Sequence, residues 1–120
     1  MTGKIPFNKQ TAEYIYVLIR KDLPLNHQTV QAIHAGMASV HRFGGLQKET
    51  RLALLGVENE KELQAWMEKL ESKSIPFEPF FEPDHQIGYS SLATAPIGAK
   101  EGRCMSKLKL WRAEENLILN

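Results

Sequence analysis

The run Tyr14-Ile15-Tyr16-Val17-Leu18-Ile19 is apolar at every position. An extended chain there shows apolar side chains on both faces, which predicts a central strand covered on both sides over residues 13–20. Pro24 and Asn26 break the run, and Asn26 offers a side-chain cap for a helix from about His27 to Phe43. Within it Val30, Ile33, Met37 and Val40 fall along one stripe at helical spacing. Ala32, Ala35, Gly36 and Ser39 make the adjoining faces small, so the helix can approach a sheet closely. Gly44-Gly45 then ends it.

Arg51 to Val57 predicts a second strand. Asn59, with Glu62 three residues on, forms the start signal of a second helix, whose buried stripe is Leu63, Trp66, Met67 and Leu70. Phe77 to Phe81 predicts a short third strand that Pro79 pushes to a sheet edge. Ile87 to Ala95 predicts a fourth strand, residues 98–107 a last helix, and Leu108-Lys109-Leu110-Trp111 a segment docked on the body. The first two strands, joined through a helix, read as a parallel crossover, and the last two as an antiparallel hairpin. The expected fold is α/β: a single-domain three-layer sandwich, with a mixed four-stranded sheet and helices on both faces. Residues 1–12 read as a flexible N-terminal arm, 13–112 as the domain and 113–120 as a C-terminal tail.

Composition narrows the function. The 120 residues suffice for one core, and 42% hydrophobic with 24% charged residues is ordinary for a globular protein. Fifteen basic and 14 acidic residues leave a net charge of +1, which argues against a strongly basic nucleic-acid binder. The single cysteine, Cys104, excludes an internal disulfide, so a cytoplasmic location is expected. There is no apolar h-region at the start and no apolar run near 18 residues, so neither a signal peptide nor a membrane span is expected.

Several polar residues are candidates for chemistry. His27, His34 and His41 recur every seven residues. Seven helical residues rise about 10 Å, too far for two of them to share one metal, so no metal site is expected. His27, near a helix N-terminus, reads either as a surface turn residue or as a neutral proton acceptor. His34, beside Val30 and Met37 on the helical wheel, reads either as a buried hydrogen-bonded histidine or as a site residue. Glu82, Asp84 and His85 cluster between two strands, as a charged turn or as a carboxylate–histidine pair. Ser90 and Ser91 sit inside an apolar strand, and alternation turns one of them inward. Arg20, Lys21 and Arg42, with Lys100, Arg103, Lys107, Lys109 and Arg112, are either phosphate contacts or a solvated charged face.

The segments Asp22-Leu23-Pro24-Leu25 and Gln31-Ala32-Ile33-His34-Ala35 resemble the Asp-Leu-x-Met and Ala-Ala-Gln-x-x-His-Ala motifs of the second class of peptidyl-tRNA hydrolases. Glu82-Pro83-Asp84-His85-Gln86-Ile87, the strand from Ser90 to Pro96, and Lys107-Leu108-Lys109-Leu110 are similar to that family's later blocks, in the same order. The likeness covers roughly residues 13–112. It implies a metal-free, cofactor-free hydrolase of the ester between a peptide and the tRNA 3′ end, and a homodimer. It implies catalytic roles for His27, Glu82, His85 and Ser90, and substrate binding by Asp22, Gln31, His34, Asp84, Lys107 and Lys109. Each polar catalytic position differs in type from the family's: His27 lies nearest its turn lysine, Glu82 or Asp84 takes its aspartate, and His85 and Ser90 take its threonines. Two alternatives share the fold: a non-catalytic module binding an RNA end, a nucleotide or a protein, and an esterase for a smaller acyl substrate.

Overall fold

A computed structural model describes residues 12–44 and 50–113. Strand β1 (Glu13–Arg20) leads into helix α1 (Leu25–Phe43), strand β2 (Arg51–Val57) and helix α2 (Glu60–Ser72). Strand β3 (Phe77–Glu82), a 3-10 turn (Asp84–Gln86), strand β4 (Gly88–Thr94) and the short strand β5 (Ile97–Gly98) follow. Helix α3 is a single turn, Ala99–Gly102, continued by a 3-10 turn at Arg103–Met105 rather than by helix to residue 107. The expected arm falls mostly outside the described residues. Ala12, its last residue, is buried. The tail after Ala113 also lies outside them.

The sheet runs β2-β1-β4-β3, with β5 pairing β1, so it has five strands rather than four. β1 and β2 are parallel, and the β1–β4, β1–β5 and β3–β4 pairs are antiparallel. The fifth strand arises where the chain breaks between Thr94 and Ile97 and then rejoins β1. At the break the Thr94 hydroxyl accepts from the Tyr16 N–H at 3.0 Å, replacing a ladder bond. β3 is an edge strand, as Pro79 requires.

β1 buries both faces. Leu18 joins Leu55, Val57, Leu63, Leu70, Leu92 and Met105 on the side of α2 and α3. Ile15, Val17 and Ile19 join Ala32, Ala35 and Ala93 on the side of α1. Asn59 caps α2, its Oδ1 accepting from the Glu62 N–H at 2.9 Å, while the Glu62 carboxylate reaches back to the N–H of Glu58. Leu63 and Leu70 are fully buried, with Trp66 and Met67 packed beside them.

Helix α1 departs from the sequence reading at its start and at its packing face. It starts at Leu25 with Pro24 at the cap position, and Asn26 lies inside the first turn. There is no side-chain cap. Instead the Gln28 amide reaches back and donates to the carbonyls of Lys21 and Leu23, at 3.1 and 2.7 Å. The apolar stripe is not what packs on the sheet: Val30, Ile33 and Met37 are 50%, 58% and 64% exposed. The buried face is Gln28, Gln31, Ala32, Ala35 and Ser39. β1 already offers bulky branched side chains, so the helix can seat closely only on its small face.

Candidate functional site

α1 runs antiparallel to β3, and three contacts fix their register. Arg42 pairs with Glu78, His34 stacks on Phe80 with rings 4.8 Å apart, and Gln31 donates to Glu82 Oε2 at 3.2 Å. The stack keeps His34 exposed on the helix flank rather than buried beside Val30 and Met37.

The ladder between β3 and β4 shifts register at Phe80/Phe81: Phe80 pairs with Ser91 and Phe81 with Tyr89, leaving Ser90 as the extra residue of a bulge. The bulge defeats simple alternation. Both serines are fully buried against α1. The Ser90 hydroxyl donates to Gln31 Oε1 at 2.9 Å, and the Ser91 hydroxyl donates to the Gln31 carbonyl at 2.9 Å. The Gln31 side chain is therefore used at both ends, accepting from Ser90 and donating to Glu82.

Glu82 is partly exposed at the mouth of this network, and its Oε1 accepts from the Asp84 N–H at 3.1 Å. That bond, then the Gln31 amide, then the nearby His34 and His85, hold the carboxyl below the usual carboxylate range. His85 and Gln86 both take left-handed backbone, φ 55° and 58°, unusual for residues with side chains. Arg20 anchors the end of this turn. Its Nη1 donates to the carbonyls of Ile87 and Tyr89 at 2.6 and 3.0 Å, while Nε and Nη2 grip Asp22 in a fork. Glu60 of α2 accepts from the Tyr89 N–H at 2.9 Å and occupies the space a side chain on Gly88 would need.

The fold thus brings Gln31, His34, Glu82, His85 and Ser90 together beyond the carboxyl end of β1, with Asp84 contributing its backbone. The others do not converge on them. Asp22 is engaged by Arg20. His27 is one turn before Gln31, level by register with the Asp84–Gln86 turn, but its side chain makes no hydrogen bond or ion pair with the described residues. Lys107 and Lys109 are exposed on the far side of the sheet: the Lys109 carbonyl accepts from Gly56 of β2, about four strand spacings, or roughly 19 Å, from β3. Arg20, Lys21 and Arg42 are each paired with a carboxylate, Asp22, Glu58 and Glu78 respectively. Phe80 joins the site without having been expected there from the sequence, and Arg20, read as a phosphate contact or part of a solvated face, is instead a buried anchor of the turn. Phe80 looks like any core residue, whereas Arg20 two residues before Asp22 at a strand end is a readable pair. Among the described residues no group of three or more His, Cys, Asp or Glu side chains is placed to hold a metal ion.

On the other flank of α1 lies a groove of about 790 Å³ between the helix and β2, floored by Ile15 and Val17 and lined mainly by apolar side chains. Trp111 lines it too, its indole N–H donating to Gln28 Oε1 at 2.6 Å. The width of α1 separates this groove from Glu82.

These features define an α/β three-layer domain with a polar cluster beyond the carboxyl end of its central strand. No family model and no curated protein matches the chain. Among solved structures it is similar to a protein of unknown function, Atu0240 from Agrobacterium tumefaciens strain C58. The two share 12% identity with a TM-score of 0.66, over 83% of this chain and 98% of the other. At that identity the likeness is one of fold. No helix among the described residues is long and apolar enough to cross a membrane.

Proposed function

We propose that the chain hydrolyses an acyl ester of the kind that joins a peptide to the tRNA 3′ end, at the cluster around Glu82. The observation that carries this reading is the Gln31 amide spanning Ser90 and Glu82. It fixes an ionised carboxylate at an accessible position with two histidines beside it. Water attacks the ester carbonyl, and the carbonyl π electrons move to oxygen. The His34 imidazole, held against Phe80, takes the proton that the water loses. Glu82 orients the water and stabilises the imidazolium so formed. Collapse of the tetrahedral adduct expels the alkoxide of the ribose, which recovers the proton from His34. His85, on the turn above, contacts the ester in this reading. Ser90 is too buried to touch substrate and acts as a positioning residue through Gln31.

A smaller acyl ester is the second reading, and one observation favours it. The three cations of the first strand–helix unit are already paired with carboxylates, and Lys107 and Lys109 lie across the sheet, so little basic surface is left beside Glu82 to hold RNA phosphates. The test compares an N-acetyl-aminoacyl-tRNA with the methyl ester of the same N-acetyl amino acid. Cleavage of the tRNA substrate alone, weakening steeply with salt, supports the peptidyl-tRNA reading. Equal cleavage of both, insensitive to salt, supports the smaller substrate. A folded protein inert on both refutes hydrolysis.

A further inference from the structure

We infer that the chain's own residues 114–119 lie in the apolar groove between α1 and β2, with Leu117, Ile118 and Leu119 packed on Met37 and Val40. Both of these groove residues are large, apolar and exposed, Met37 by 64% and Val40 by 38%, and Leu52 on the opposite wall is 60% exposed. A contiguous apolar surface of this kind marks a place that another segment or molecule covers.

Three observations select the segment after Ala113 as the occupant. First, the chain is already delivered to the groove. Residues 109–111 run antiparallel to β2: Leu110 lies opposite Leu55, the Gly56 N–H donates to the Lys109 carbonyl and the Trp111 N–H to the Leu54 carbonyl. Trp111 lines the groove and donates to Gln28 of α1. β1 and β2 are parallel and α1 connects them, so this segment travels in the same direction as α1, from the Gln28 end of the groove towards Val40. Second, the reach fits. The helix from Gln28 to Val40 is about 18 Å long. Ala113 lies in a turn, and residues 114–120 follow on directly. Leu117 comes about 13 Å beyond Trp111 where helical geometry follows Ala113, and about 20 Å beyond it where the chain extends. Either course brings Leu117-Ile118-Leu119 to the stretch from Met37 to Val40. Third, the charges match. Counted on antiparallel from Trp111 beside Leu54, Glu114 comes level with Arg51, which is exposed and lines the groove. Glu114 and Glu115 precede the apolar run, so acidic residues meet the cation and apolar residues the apolar wall beyond it. A tether this short holds the segment at an effective concentration of roughly millimolar, which any occupant arriving from solution must outcompete. The groove shares no lining residue with the Glu82 cluster, and its occupation does not depend on ester hydrolysis.

Methyl NOE spectra of the full chain, uniformly labelled with carbon-13, read the contact directly. The expected result is cross-peaks from the Leu117 and Leu119 methyls to those of Met37 and Val40, unchanged between about 20 and about 500 µM. In a sample mixing labelled and unlabelled chains, the isotope-filtered spectrum lacks these cross-peaks, because both ends of each contact belong to one chain. Leu117→Asp combined with Leu119→Asp releases the segment. That variant binds the apolar dye anilinonaphthalene sulfonate at least about tenfold more tightly than wild type, with shifts at the Met37 and Val40 methyls. Circular dichroism confirms that the variant is folded, and the wild-type cross-peaks decide the question even where it is not. Absence of the cross-peaks in wild type overturns the inference. Cross-peaks that survive isotope filtering overturn it too, since they put a second copy in the groove, as does a wild type that binds the dye at Met37 and Val40 as tightly as the variant.

Discussion

Glu82 carries two hydrogen bonds with separable consequences. The Asp84 N–H and the Gln31 amide both favour the ionised form, so folding lowers the carboxyl's titration midpoint. Such a group stabilises the fold fully above the unfolded carboxylate range and loses that contribution as pH falls through the folded midpoint. Glu82→Gln removes the titration. Wild type is therefore expected to lose more stability than Glu82→Gln between about pH 6 and about pH 3, measured by urea unfolding at each pH. Arg20 makes a different prediction. Lysine keeps the charge but cannot grip Asp22 in a fork and also reach the carbonyls of Ile87 and Tyr89. Arg20→Lys is expected to cost about 2–3 kcal/mol of stability by chemical denaturation. Residue identity alone showed that Glu82, Asp84 and His85 form a cluster. It did not show which of the two carboxylates is held, because that follows from a left-handed turn at His85 and Gln86 that nothing in their side chains announces.

Among the elements, α1 shows where hydrophobic pattern and packing part company. The periodicity correctly gives a helix, but its most apolar stripe faces outward. The sheet beneath is built from Ile15, Val17 and Ile19, and only alanine and serine positions let the backbone come close enough. A stripe read from one helix alone cannot reveal the size of the surface it will meet. Two substitutions separate the faces. Ala35→Leu, at a fully buried position, is expected to destabilise by about 1–3 kcal/mol in urea unfolding. Ile33→Ala, measured in the same way, is expected to fall within about 0.5 kcal/mol of wild type. α2 was the more legible helix: Asn59 and Glu62 mark its start and Leu63 and Leu70 its core face. Asn59→Ala is expected to cost about 1 kcal/mol in thermal or urea unfolding. The β3–β4 hairpin was legible in its pairing but not in its bulge, and the bulge places both Ser90 and Ser91 against Gln31.

The whole molecule divides its polar and apolar features between the two flanks of one helix. Toward β3 lies the hydrogen-bonded cluster of Gln31, Glu82 and Ser90, with His34 and His85 at its surface. Toward β2 lies the apolar groove. The three-layer architecture, the parallel β1–β2 crossover and the edge position of β3 could all be read from the chain, because burial on both faces of β1, the helix between the strands and Pro79 each have one structural consequence. The assembly of distant residues could not. Lys107 and Lys109 belong with the site by motif order, yet their segment runs beside β2, where Gly56 and Leu54 bond the backbone of Lys109 and Trp111. Linear order fixes which strands exist, while sheet order decides which residues meet.

The most direct measurement is single-turnover hydrolysis of an N-acetyl-aminoacyl-tRNA by wild type, Glu82→Gln and His34→Gln, with Asn59→Ala as a control for general destabilisation. Catalysis by the Glu82–His34 pair predicts cleavage by wild type and by Asn59→Ala, with the rate reduced about a hundredfold or more in each of the other two variants. A folded wild type that leaves the ester intact, or full activity in both Glu82→Gln and His34→Gln, would contradict it.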